Sequence, residues 1–120
     1  MRQKNKKKPD VNYLDLIPEK NPAVGYHLEE NQIVVLELEN KGAFNRAAQK
    51  LFHRPKFSYI HLDEFGSVGW IQVDGTKTIA AIALEVKAHF GKKAEPLYER
   101  LIQYFYNLEN YGFVMIPKNK

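Results

Sequence analysis

Four histidines, His27, His53, His61 and His89, are the side chains of this sequence best suited to move protons or ligate metals at neutral pH. None stands in an H-x-x-x-H or H-E-x-x-H spacing, so no helix turn brings two imidazoles to one face. His61 and Asp63 flank Leu62 and are a pair with ligand chemistry, but Asp63 is also placed to cap a helix. The carboxylate pairs Glu29-Glu30 and Asp63-Glu64 fall in a turn and at a helix start. Turn chemistry and the helix dipole account for both, whereas acid–base catalysis needs a buried, perturbed pair. Ser58 and Ser67 lack a G-x-S-x-G context, and neither G-x-x-x-x-G-K-[ST] nor G-x-G-x-x-G occurs. The chain has no cysteine, which excludes a thiol nucleophile, thiolate zinc, iron–sulfur clusters and disulfides. The expectation is a non-enzymatic protein with no metal and no organic cofactor.

Binding chemistry has better candidates. Arg46, Lys50 and Arg54 share one stripe of a helical stretch, a possible phosphate or carboxylate anchor or simply a solvated face. Nearer the C-terminus, Leu97, Leu101, Phe105 and Leu108 make an inner helical stripe. Tyr98 and Ile102 lie on its flank, where an apolar surface is either open to a partner or roofs the sheet. Tyr104, Tyr106 and Tyr111 belong to the same aromatic-rich helix.

The elements that position these residues follow from periodicity. The chain has 120 residues, 44% of them hydrophobic, which suits one domain with one core. Residues 12–22 read as an extended entry segment, because Pro18 and Pro22 oppose a helix. Val24, Tyr26 and Leu28 alternate with polar neighbours and predict a half-buried strand. Glu30-Asn31 predicts a tight turn with Asn at positive φ. Gln32 to Glu39 is the returning strand, with Val34, Leu36 and Leu38 on one face. A short helix is expected over Ala43–Phe52, ended by Pro55, and a third strand over Phe57–Leu62.

Helical spacing then takes over. Asp63 caps a helix reaching about Val73, with Phe65, Val68, Ile71 and Trp70 inward. Asp74-Gly75 makes a turn, and Thr78 caps a second helix that buries Ile79, Ile82, Ala83, Val86 and Phe90 and stops at Gly91. Pro96 opens a third helix that ends at Gly112, and Phe113–Ile116 is a short apolar tail. The fold class is therefore α+β: a winged helix-turn-helix with an N-terminal three-stranded antiparallel sheet, three following helices and an extra short helix between strands two and three.

Charge is unevenly spread. Residues 1–10 carry Arg2, Lys4, Lys6, Lys7 and Lys8 against Asp10, and Lys118 and Lys120 end the chain. The 107 residues between hold 11 basic and 13 acidic side chains. The net charge of +4 thus belongs to the ends. Residues 1–10 are expected to be a basic disordered tail, and 11–117 a single domain. Apolar runs such as Ile33–Leu36 and Ile79–Leu84 are far short of the roughly 20 residues needed to span a bilayer. No apolar stretch follows the basic start, as a secretory signal would require. A cytoplasmic protein without a membrane partner is expected.

One ordered set of residues resembles a known family. Asn12-Tyr13-Leu14-Asp15-Leu16-Ile17-Pro18, then Tyr59-Ile60-His61-Leu62-Asp63-Glu64-Phe65-Gly66-Ser67, Trp70, Asp74-Gly75 and Thr78-Ile79, is similar to the PqqD family. The likeness runs from Tyr59 to Phe113 and, more loosely, over the preceding hairpin. The basic tail and the Ala43–Phe52 helix depart from the members of the quinone-cofactor pathway. The resemblance implies a winged helix-turn-helix module that recognises the leader of a ribosomally made precursor peptide and passes it to a modifying enzyme, often a radical S-adenosylmethionine (radical SAM) protein. It further implies that the leader adds as a strand beside Phe57, Ser58, Tyr59, Ile60 and His61, in a groove walled by Tyr98, Leu101, Ile102 and Phe105. Added strands gain affinity from backbone hydrogen bonds and selectivity from alternate side chains. A monomer or weak homodimer is expected.

Two other classes compete. A winged-helix DNA-binding protein should present Arg, Lys, Asn or Gln at the front of a recognition helix. Here Glu95 and Glu99 stand there, and the body is net negative, so no nucleic-acid partner is expected. A small assembly protein without a peptide ligand is the third class.

Overall fold

The computed structural model describes residues 12–39 and 57–118. The expected basic tail, the expected helix over 43–52 and its Arg46, Lys50 and Arg54 stripe lie outside the described residues. Five strands and three α-helices are described: β1 (Glu19–Lys20), β2 (Gly25–Leu28), β3 (Val34–Glu39), β4 (Phe57–His61), α1 (Glu64–Gln72), α2 (Ile79–Phe90), α3 (Leu97–Tyr111) and β5 (Val114–Met115). Strands β2, β3 and β4 form an antiparallel sheet in that order, and β1 pairs antiparallel with β5. The α+β class with a three-stranded antiparallel sheet and three helices is thus as the sequence predicts. No described helix is long and apolar enough to cross a membrane.

The β2–β3 hairpin turns differently from its sequence expectation. Gln32, not Asn31, takes positive φ, at 68°. The Gln32 amide donates to Glu29 O and the Glu29 amide to Ile33 O, which is a three-residue loop closed by a left-handed residue. Asn31 contributes its side chain instead, accepting from the Ile33 amide.

Register decides which backbone groups remain for a partner. Val35 lies between His27 and His61, and Leu36 between Tyr26 and Ile60. The bonds Glu29 N–H to Ile33 O and Leu62 N–H to Val34 O set the alternation of both pairs. The backbone groups of Ser58 and Ile60 consequently face β3, while those of Phe57, Tyr59 and His61 face away. On the other side of the sheet, Tyr26 and Leu28 are the outward residues.

The core lies between one sheet face and the helices. Val34 and Leu36 of β3 meet Phe65 and Trp70 of α1, Ile79, Ile82 and Val86 of α2, and Leu97, Leu101, Phe105 and Leu108 of α3. Leu16, Val114 and Ile116 close it from the two chain ends. Thr78 and Asp63 cap their helices as expected, and Gly91 and Gly112 terminate α2 and α3 at φ 61° and 81°.

Two sequence expectations on burial fail. Strand β2 is exposed throughout, as the edge strand of its sheet among the described residues. In α1, Ile71 faces solvent, while Gly66, Ser67, Gly69 and Trp70 are buried. This helix is enclosed on several sides: by Tyr104 of α3 over its glycines, by the amide of Val34 at Ser67 and by Tyr26 at Trp70. Small residues on one face let a neighbour approach, so the helix shows no simple apolar stripe.

Candidate functional site

Strand β4 precedes α1 by two residues, and its position is fixed through Ser67. The Val34 amide donates to Ser67 Oγ at 2.9 Å, and Ser67 Oγ–H points to Leu62 O at 3.4 Å. One buried hydroxyl therefore ties β3, the end of β4 and α1 together. Sequence reasoning weighed Ser67 only as a nucleophile and missed this role. A small polar residue on the buried side of an otherwise apolar helix was the available signal.

Among the described residues no strand pairs with β4 on its outer side. Phe57 and Tyr59 project from the sheet face turned away from the helices, with rings stacked 6.4 Å apart. Tyr59 is 58% exposed. Ser58 and Ile60 point to the helix side, where Ile60 packs on the core. His61 Nε2 lies 3.4 Å from Glu29 Oε2, and Asp63 accepts from the Gly66 amide as helix cap. The His61–Asp63 pair thus divides between a hairpin contact and a cap.

Beside the end of β4, a groove of about 410 Å³ opens between the start of α1 and one flank of α3. Asp63, Gln103, Tyr104 and Asn107 line it, together with Arg100. Tyr104 anchors the flank. Its hydroxyl donates to Gly66 O at 2.7 Å, and its ring lies over Gly66 and Gly69. Burial, with the Asp63 carboxylate second, pushes its pKa well up. Arg100 crosses the Phe65 ring at 3.9 Å and donates to the carbonyls of Lys93 and Ala94.

The expected groove wall needs correction. Leu101 and Phe105 are fully buried in the core and offer no surface to a ligand. Tyr98 and Ile102 are more accessible and lie on another flank of α3 than the groove-lining Tyr104. Each residue turns a helix by about 100°, which puts Ile102 roughly opposite Tyr104 and on the side of Tyr106 and Glu109. Those two residues lie against Tyr13 of the entry segment. The structure brings Phe57, Ser58, Tyr59, Ile60 and His61 together as one strand, and turns Tyr98 and Ile102 away from the groove at its end.

No family model, curated protein or solved structure matches this chain. Among the described residues, the site offers the outward backbone groups of β4, exposed aromatics and a polar groove.

Proposed function

We propose that this protein is a non-catalytic peptide-binding module, a PqqD-like winged helix-turn-helix. It takes the leader segment of a ribosomally synthesised precursor peptide and presents it to a modifying enzyme of the radical SAM class. The leader adds as a strand along β4, and its far end enters the groove between Asp63 and α3. The observation that carries this reading is the outward backbone of Phe57, Tyr59 and His61, with His61 two residues before the groove-lining Asp63. The resemblance through Tyr59–Ser67, Trp70 and Asp74-Gly75 supports the same strand and helix.

Leader residues opposite Ser58 and Ile60 would face the helices, and those opposite Phe57, Tyr59 and His61 would face the aromatic side. Gln103, Tyr104 and Asn107 replace Tyr98 and Ile102 as the α3 contacts. The amide of Tyr59 supplies the decisive test, because proline removes an edge donor and is tolerated on edge strands. Titration calorimetry with the leader of a precursor encoded beside this gene should show Tyr59→Val binding and Tyr59→Pro weakened by about tenfold or more, near 1.4 kcal/mol. Equal affinity of both variants would show that no strand adds to β4.

A further inference from the structure

The opposite edge of the sheet carries a second groove. Strand β2 is an open edge among the described residues, with the backbone groups of Tyr26 and Leu28 turned outward. Their side chains lie on the helix side, 42% and 47% exposed. Below them a cavity of about 390 Å³ has Leu28, Ile33, Val68 and Ile71 as its apolar lining and Gln32, Glu64, Gln72 and His89 among its polar lining. Ile71 is 41% exposed there, the apolar residue of α1 that the core leaves out. Apolar side chains in that lining, beside backbone groups that no described strand pairs, are a geometry that accepts an added strand.

Charge selects the occupant. A strand paired to β2 places alternate side chains on the two faces of the sheet. Those opposite Tyr26 and Leu28 would fall on Ile71 and Val68. Those between would fall on the other face, which carries Glu29 and Glu37, with Glu39 farther along β3. The two histidines of that face, His27 and His61, contact Glu37 and Glu29, and among the described residues the face holds no lysine or arginine. Glu30 stands at the hairpin tip and Glu64 on the groove wall. Lys20 lies on the helix side, over the rings of Tyr26 and Trp70.

We infer that the β2 edge with the α1 groove is a second docking surface, for an extended peptide segment whose apolar and basic residues alternate. The apolar side chains fill the floor at Leu28, Val68 and Ile71, and the basic ones meet Glu29 and Glu37. This surface is separate from β4 and does not depend on the leader reading.

The probe is a capped peptide alternating valine and lysine, titrated into the full chain and followed by amide and methyl shifts. A peptide of the same composition with its valines and lysines in separate blocks, and one alternating valine with glutamate, are the comparisons. The expected result is shifts confined to Tyr26, Leu28, Val68 and Ile71, with both comparison peptides weaker by about tenfold or more. Ile71→Ser and Leu28→Pro should each abolish most of the shift, and Leu28→Val should keep it. Because Ile71 is a surface residue, Ile71→Ser still decides the matter if Leu28→Pro fails to fold. Equal binding of the block peptide, or shifts on Phe57–His61 instead, would overturn the assignment. So would self-association of the chain that Leu28→Pro dissolves, since the occupant would then be a second copy.

Discussion

At Ser67 one hydroxyl serves two backbone partners. Replacing it with alanine leaves the Val34 amide buried without an acceptor, which costs about 1–3 kcal/mol. Thermal unfolding of Ser67→Ala should show that loss, and a neutral result would mean that the amide finds another acceptor. Tyr13 makes a different kind of demand. Its hydroxyl is buried beside the Glu109 carboxylate, and desolvation first, then that charge, push its pKa from 10.0 up to about 12. The unfolded chain loses this proton at lower pH than the folded one. The contribution is therefore complete below pH 10.0 and is lost as pH rises towards about 12. Tyr13→Phe should flatten the alkaline limb of a stability–pH profile between those values. An unchanged limb would place its cause elsewhere.

Helix α1 shows how an element can be invisible to periodicity and still be well determined. Its apolar residues do not fall on one stripe, since Trp70 and Phe65 are buried while Ile71 is not. The glycines carry the explanation. A Cβ on Gly66 would meet Asp63 Oδ1 at 3.0 Å and the Tyr104 ring at 3.1 Å. The ring is held by its hydrogen bond to Gly66 O, and the carboxylate is held by its cap, so neither retreats cheaply. Gly66→Ala should therefore destabilise by about 1–3 kcal/mol, although alanine is the better helix former by about 1 kcal/mol. Denaturant unfolding would show the sign, and a stabilised variant would mean that α1 and α3 separate easily. Helices α2 and α3 were legible because each has one buried face and a glycine stop, with Thr78 capping α2 and Pro96 preceding α3. Strand β2 was legible as a strand but not as an exposed one, since alternation does not say whether a helix lies above. The β4 strand of the candidate site was readable from its aromatic and β-branched residues, set between Pro55 and Asp63. Its groove wall was not, because Tyr104 looked like one tyrosine among four until its partner across the chain, Gly66, was in place.

Over the whole molecule, charge separates into basic ends and a net-negative middle, and this bears on the DNA-binding alternative. Duplex affinity grows with the number of cations free to displace counterions from phosphates. The front of α3, where a recognition helix would present its side chains, has little to give. Glu95 pairs with Lys87 and accepts from the Leu97 amide, so that its carboxyl stays below the usual range. Glu99 is acidic and exposed. Arg100 is committed to the carbonyls of Lys93 and Ala94 and to the Phe65 ring. Residues 1–9 hold five basic side chains and no acidic one. Whatever affinity the chain has for duplex DNA should therefore reside in those residues. Deleting 1–9 should remove salt-dependent binding to random duplex, measured by anisotropy across a salt series, while Tyr59→Val leaves it unchanged in the full chain. Submicromolar, steeply salt-dependent binding by the truncated protein would restore the winged-helix DNA reading and make Arg100 and its neighbours the first residues to test.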